Sequence, residues 1–175
     1  MKIVICGFSG SGKSHLLREV EQSSLVKDIR FLDLDEEICK NYGIAPGALG
    51  EQIRVRGWQW FREAESSALA KLLKIDCFIL ALGGGALSEG NLGVIRSNEE
   101  VKICWLDESF EKCYKNIALD SNRPLNAVGK ENLEEIYLER CSYYARADIK
   151  KNYSQLKDYL QQCIAAGTIC HSDDA

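Results

Sequence analysis

The chain has 175 residues, 46% of them hydrophobic and 27% charged, which fits one soluble globular domain with a substantial core. A net charge of -4 excludes the basic footprint of a protein that grips nucleic acid or an anionic membrane. No apolar run approaches membrane-spanning length and the N-terminus lacks a signal-peptide pattern, so a cytoplasmic protein is expected.

The first element is Ile3-Val4-Ile5-Cys6, a short apolar run that reads as a buried parallel strand. It leads into Gly7-Phe8-Ser9-Gly10-Ser11-Gly12-Lys13-Ser14, which fits the pattern G-x-x-x-x-G-K-[ST] at every fixed position. The glycines let the loop turn sharply, so that its N–H groups converge on phosphate oxygens. Lys13 brings a positive charge to the β- and γ-phosphates, and the Ser14 hydroxyl is placed to hold Mg²⁺. A Gly/Ser-rich turn can match such a pattern by accident. Leu16, Leu17 and Val20 then recur at helical spacing, which completes the strand–loop–helix context that the pattern requires. A nucleoside triphosphate is the expected ligand, with Gly10, Ser11, Gly12, Lys13, Ser14 and His15 as its candidate contacts.

Ile29-Arg30-Phe31-Leu32 reads as a second strand ending in Asp33-Leu34-Asp35. On an extended backbone the two aspartates would share one face. Beside a P-loop, one carboxylate can reach Mg²⁺ through water and the other can take the proton of a substrate hydroxyl. The competing reading is an Asp helix cap followed by the acidic first turn Glu36-Glu37. A loop from Gly43 to Gly50 and a helical stretch from about Glu51 to Arg56 follow. A longer helix opens at Gly57 and runs towards Leu73, and Trp58, Phe61, Glu65 and Leu69 can line one face of it. There Glu65 can hold Arg62 in place from one turn away, although a solvated helical ion pair has the same spacing.

Cys77 to Leu82 is the most apolar run and reads as a central strand. It ends in Gly83-Gly84-Gly85, at the strand end where open α/β sheets bind their ligands. A helix over about 88–97, a strand over 101–106 and a helix over 107–117 come next. Asp120 to Asn126 is polar and broken by Pro124, hence a loop, on which Arg123 can close over phosphates. A helix over about 130–146 carrying Arg140, a weak strand near 148–151 and a helix over about 154–165 complete the order. Alternation of strands and helices, without repeats or an interior linker, predicts a three-layer α/β fold with a five-stranded parallel sheet flanked by helices. One domain over residues 1–166 is expected, followed by a polar, frayed tail at 167–175. The eight cysteines include no C-x-x-C pair and read as reduced and structural.

These residues, taken together, resemble shikimate kinase, a small P-loop enzyme of the nucleoside-monophosphate-kinase type. Beyond the P-loop, the resemblance is carried in order by Asp33-x-Asp35, Gly57-Trp-x-x-Phe61-Arg62-x-x-Glu65, Gly83-Gly84-Gly85 and Arg123-Pro124-Leu125. It covers about Ile3 to Ile164. It implies transfer of the ATP γ-phosphoryl group to the 3-hydroxyl of shikimate, a step towards chorismate and the aromatic amino acids. By that resemblance Lys13, Asp35 and Arg123 are catalytic, and Arg123 also contacts ATP. Asp35, Arg62, Gly83, Gly84, Gly85 and Arg140 bind shikimate, while Ser14 and, through water, Asp33 serve Mg²⁺. The substrate segment is about 34–62 and the lid about 115–128, in a protein expected to be monomeric.

Three departures from the family pattern stand out. Asn116, with Lys115 beside it, occupies the place where members usually carry an adenine-stacking arginine. Asn126 follows Arg-Pro-Leu where a second leucine is common. Around Arg140 the arginine-to-tyrosine spacing fits Tyr144, whereas the tyrosine-to-Ala-Asp spacing fits Tyr143, Ala147 and Asp148. Two other functions stay open. One is a kinase for another small hydroxylated metabolite, since the P-loop also looks like those of gluconate and adenylylsulfate kinases. The other is a nucleotide-binding homologue without catalysis.

Overall fold

A computed structural model describes residues 2–26, 28–119 and 128–167. The apolar first segment forms β1 (Lys2–Cys6), buried over its whole length because β3 (Phe78–Ala81) and β4 (Val101–Leu106) pair with its two edges. β2 (Arg30–Asp33) lies outside β3 and β5 (Ile149–Lys151) outside β4, giving a parallel sheet of order β2-β3-β1-β4-β5. The strand sides alternate as a period of two demands. Ile3 and Ile5 face α1 (Lys13–Ser23) and α8 (Tyr153–Ala165), packing with Leu16, Val20, Leu156 and Leu160. Val4 and Cys6 face the other layer, which holds α2 (Leu34–Tyr42), α3 (Leu49–Arg56), α4 (Trp58–Leu72), α5 (Glu89–Arg96), α6 (Phe110–Ala118) and α7 (Lys130–Tyr144). The expected three-layer, five-stranded architecture is therefore present.

Local chemistry sets the helix boundaries. Ser88, Ser109 and Asn152 cap α5, α6 and α8 through their side chains, and Asn152 forms a reciprocal capping box with Gln155. Gly43 ends α2 in the left-handed conformation, where a side chain would be strained. Asp33 ends β2 and caps α2, its Oδ1 accepting from the N–H of Asp35 at 3.0 Å. Asp35 consequently lies in the first turn of α2. The two aspartates do not share one face of an extended strand, because capping turns the chain between them.

The cysteines also depart in part from expectation. Cys6, Cys39, Cys104, Cys113, Cys141 and Cys163 are free, and burial pushes the thiols of Cys6 and Cys113 up to about 12 and about 11. Cys77 stands one residue ahead of β3, half-buried rather than within the strand, and is disulfide-bonded. Cys170 lies outside the described residues.

Asp148 fastens the edge of the sheet. Its carboxylate accepts from Arg96 at 2.9 Å and from the Ile103 N–H at 2.8 Å. Burial pushes the carboxyl up, but the Arg96 and Ile103 hydrogen bonds outweigh this and hold it below the usual range. A lowered carboxyl stabilises the fold above its unfolded pKa and loses that contribution as pH falls through the folded one. Asp148→Ala is expected to cost about 1 kcal/mol at pH 7, after discounting for exposure, and less at pH 3. Urea denaturation of both proteins at the two pH values checks this.

Candidate active site

The carboxyl ends of β1, β2 and β3 converge on one cavity of about 850 Å³. Among the residues lining it are Lys13, Ser14, Asp33, Asp35, Arg62, Glu65, Gly83, Gly84, Gly85 and Arg140. A smaller cavity of about 270 Å³ adjoins the P-loop, lined by Gly10, Gly12, Lys13, Ser14, His15, Arg18 and Asn116. Ser11 lies in neither. It is 1% exposed, with its hydroxyl turned back to accept from Lys13 Nζ at 3.4 Å.

Lys13 is the buried cation of the site. Its Nζ donates to the carbonyls of Gly7 at 2.7 Å and Phe8 at 2.8 Å. Burial lowers its pKa to about 8, against the opposing attraction of Asp35. The neighbouring Ser14 hydroxyl donates to Asp33 Oδ2 at 2.5 Å. A hydroxyl and a carboxylate side by side at the foot of a phosphate loop are hard oxygen donors of the kind Mg²⁺ takes, so the residues present fit that ion.

The triple glycine forms the cavity floor. A Cβ on Gly84 would stand 2.6 Å from the backbone N of Ser9, so only glycine lets β3's end pass under the P-loop. A Cβ on Gly83 would meet Glu65 Oε1 at 2.8 Å and Asp35 Oδ1 at 2.9 Å. One on Gly85 would lie 2.9 Å from both Arg62 Cζ and an Arg140 Nη. Two carboxylates therefore converge at one end of the floor and two guanidiniums at the other.

Helix α4 supplies both an arginine and its anchor. Arg62 donates to Glu65 Oε2, and the guanidinium lies 5.3 Å from the Trp58 ring and 5.5 Å from that of Phe61. Glu65 is fully buried, and its Oε1 has no hydrogen-bond partner among the described residues. Burial pushes this carboxyl up, with Arg62 pulling the other way. Phe61, Glu65 and Leu69 share the buried face as expected, but Trp58 is 44% exposed at the cavity mouth.

Arg140 reaches the same place from α7. Its guanidinium is 5.5 Å from the Phe8 ring, and burial lowers its pKa. One turn later Tyr144, 1% exposed, donates its hydroxyl to the Gly84 carbonyl and so fixes α7 against the floor. Of the two tyrosines with a family-like spacing, Tyr144 is the one at the site. Sequence reasoning had no signal for this contact, which spans sixty residues. Asn116 stands out in the sequence only as a departure from the family pattern; its Nδ2 donates to the Gly10 carbonyl at 2.7 Å and ties α6 to the P-loop, a contact the sequence does not signal. Arg123 and the central part of the expected lid, 120–127, lie outside the described residues.

A parallel sheet of this order, with a Lys-Ser phosphate loop after its first strand, is the architecture of a P-loop nucleoside-triphosphate-binding protein. The family model for shikimate kinase matches residues 9–166, and the chain belongs to the shikimate kinase family. It is 34% identical over 152 residues to the shikimate kinase of Moorella thermoacetica, covering 84% of this chain and 82% of that one. With the shikimate kinase of Neisseria gonorrhoeae it shares 31% identity over 164 residues, covering 91% and 92%. The crystal structure of shikimate kinase from Aquifex aeolicus superposes with a TM-score of 0.74 at 25% identity, covering 96% of this chain and 98% of that one.

Proposed function

We propose that this protein transfers the γ-phosphoryl group of ATP to the 3-hydroxyl of shikimate. The observation that carries the reading is the two-ended cavity. Arg62 and Arg140 meet over Gly85, Asp35 and Glu65 meet at Gly83, and the Lys13–Ser14 corner lies on the same wall. A small carboxylate-bearing polyol fits this polarity, with its carboxylate between the guanidiniums and its hydroxyls towards the carboxylates. A substrate hydroxyl would also satisfy the buried Oε1 of Glu65.

In this reading the P-loop N–H groups and Lys13 hold the phosphates and offset charge as the phosphoryl group moves. Asp35 accepts the proton of the attacking hydroxyl, whose oxygen forms the new P–O bond while the bond to ADP breaks. Ser14 directly and Asp33 through water would hold Mg²⁺, which when bound neutralises charge on the β- and γ-oxygens. Arg123 is assigned to the lid, about 115–128, closing on the transferring phosphate, and about 34–62 forms the substrate segment. We further assign a cytoplasmic monomer. No helix among the described residues is long and apolar enough to cross a membrane.

ADP release from Mg²⁺-ATP, with and without shikimate and with gluconate and adenylylsulfate alongside, tests the reading. Turnover that requires both Mg²⁺ and shikimate is the expected result. ATP binding without shikimate-dependent ADP would overturn the substrate assignment.

A further inference from the structure

Tyr153, the first residue of α8, stands beside the P-loop although 138 residues separate it from His15. Its ring backs the loop at Gly12, where a Cβ would meet Tyr153 Cε2 at 3.3 Å and Cδ2 at 3.5 Å. Its hydroxyl lies 2.5 Å from His15 Nδ1 and 3.0 Å from Glu19 Oε2. Lys157 holds the same Glu19 oxygen at 3.0 Å.

The partners fix the direction of these bonds. Glu19 is an acceptor carboxylate, kept low by its hydrogen bonds from Lys157 and Tyr153, so the tyrosine hydroxyl donates to it. Burial and Glu19 push the tyrosine up to about 12, and the hydroxyl keeps its proton. With its own proton on Glu19, the tyrosine oxygen accepts from His15 Nδ1.

Tyr153 is itself held from below. Its backbone N–H donates to Glu108 Oε1 at 3.1 Å, and Lys112, paired with Glu108 at 2.9 Å, lies 5.7 Å from the ring. The Asn152–Gln155 capping box secures the turn in which it sits. One residue, through its side chain and its backbone N–H, thus ties together the start of α1, the approach to α6 and the start of α8.

The first-turn N–H groups of a helix have no intrahelical acceptor and serve as donors for phosphate. In α1 those groups belong to the residues that Tyr153 braces, from the Gly12 cap to His15. His15 also lines the small cavity beside the phosphate loop, together with Gly10, Gly12 and Asn116.

We propose that Tyr153 is a positioning residue for the phosphate donor, its ring bracing Gly12 and its hydroxyl locking His15 against the nucleotide. This rests on the reading of the P-loop as the nucleotide site, and it is independent of which acceptor is phosphorylated. Mg²⁺-ADP affinity by calorimetry, with kcat and both KM values, tests it in Tyr153→Phe, Tyr153→Ala, His15→Ala and the double variant Tyr153→Phe/His15→Ala.

Tyr153→Phe keeps the ring and loses the lock. It is expected to weaken Mg²⁺-ADP and raise KM for ATP about three- to tenfold, with kcat and KM for shikimate within about twofold of wild type. Tyr153→Ala loses both contacts and is expected to exceed about tenfold. His15→Ala should match Tyr153→Phe, and the double variant should be no worse than either single one. Wild-type Mg²⁺-ADP affinity in Tyr153→Phe, additive losses in the double variant, or equal losses for both substrates would overturn the proposal. If circular dichroism shows Tyr153→Phe unfolded, the exposed His15→Ala decides, and unchanged Mg²⁺-ADP affinity there overturns the proposal. Wild-type protein that binds Mg²⁺-ADP yet gives no shikimate-dependent turnover would sink the acceptor assignment alone.

Discussion

Lys13→Ala is expected to lower kcat by about a hundred- to a thousandfold, with KM for shikimate little changed. Lys13 is the one buried cation among the described residues that packs within the phosphate loop, held by the Gly7 and Phe8 carbonyls. Its charge gains value as negative charge shifts onto the transferring oxygens, and alanine leaves that corner to backbone dipoles. The same residue gives a pH signature. Burial lowers its pKa to about 8, so near pH 8 about half of the molecules carry a neutral amine. Bound phosphates favour the ammonium form, so nucleotide binding at that pH takes up a proton. Calorimetry of Mg²⁺-ADP in buffers of different ionisation enthalpy reads this uptake. It should be present in wild type, fade towards pH 6.5 and vanish in Lys13→Ala. An alanine variant with wild-type kcat would contradict the role given to Lys13.

The second large effect is at the other end of the cavity. Arg62→Ala is expected to raise KM for shikimate about thirtyfold or more while KM for ATP stays within twofold. The variant removes half of the guanidinium pair over Gly85 and strands Glu65, which is fully buried and already pushed up by burial. Glu65 then keeps only the Arg140 guanidinium against the burial that already pushes its carboxyl up. Arg62→Lys should recover only part of the loss, since an ammonium cannot present the planar fork that grips a carboxylate. Steady-state kinetics with each substrate varied separates these cases. Unchanged shikimate affinity in Arg62→Ala would remove Arg62 from the clamp.

Asp33 shows how a sequence pattern and a structure can agree on a site and differ on its geometry. The Asp-x-Asp spacing suggests two carboxylates on one extended face, but the capping preference of Asp33 wins and starts α2 there. Both aspartates still line the cavity, because its Oδ2 turns to Ser14 while Asp35 follows in the first helical turn. Arg140 shows the converse. Two tyrosine spacings compete in the sequence, and only packing decides, since Tyr144 has the Gly84 carbonyl to bond and a buried place beside Trp105.

What the sequence by itself determined is whatever local chemistry encodes. The P-loop is specified by glycine, lysine and serine at fixed spacing, and the parallel sheet by apolar runs alternating with helical periodicity. The ion pair of Arg62 and Glu65 follows from their i,i+3 spacing on one helix. The tertiary structure alone decided the contacts between residues far apart in the chain. Asn116 meets Gly10, Tyr144 meets Gly84 and Tyr153 meets His15 across separations of 106, 60 and 138 residues. Such hydrogen bonds leave no periodic trace, because each depends on how a helix settles against the sheet and against the loops at its end. A strand or a phosphate loop is written in neighbouring residues, whereas the position of a brace is set by packing.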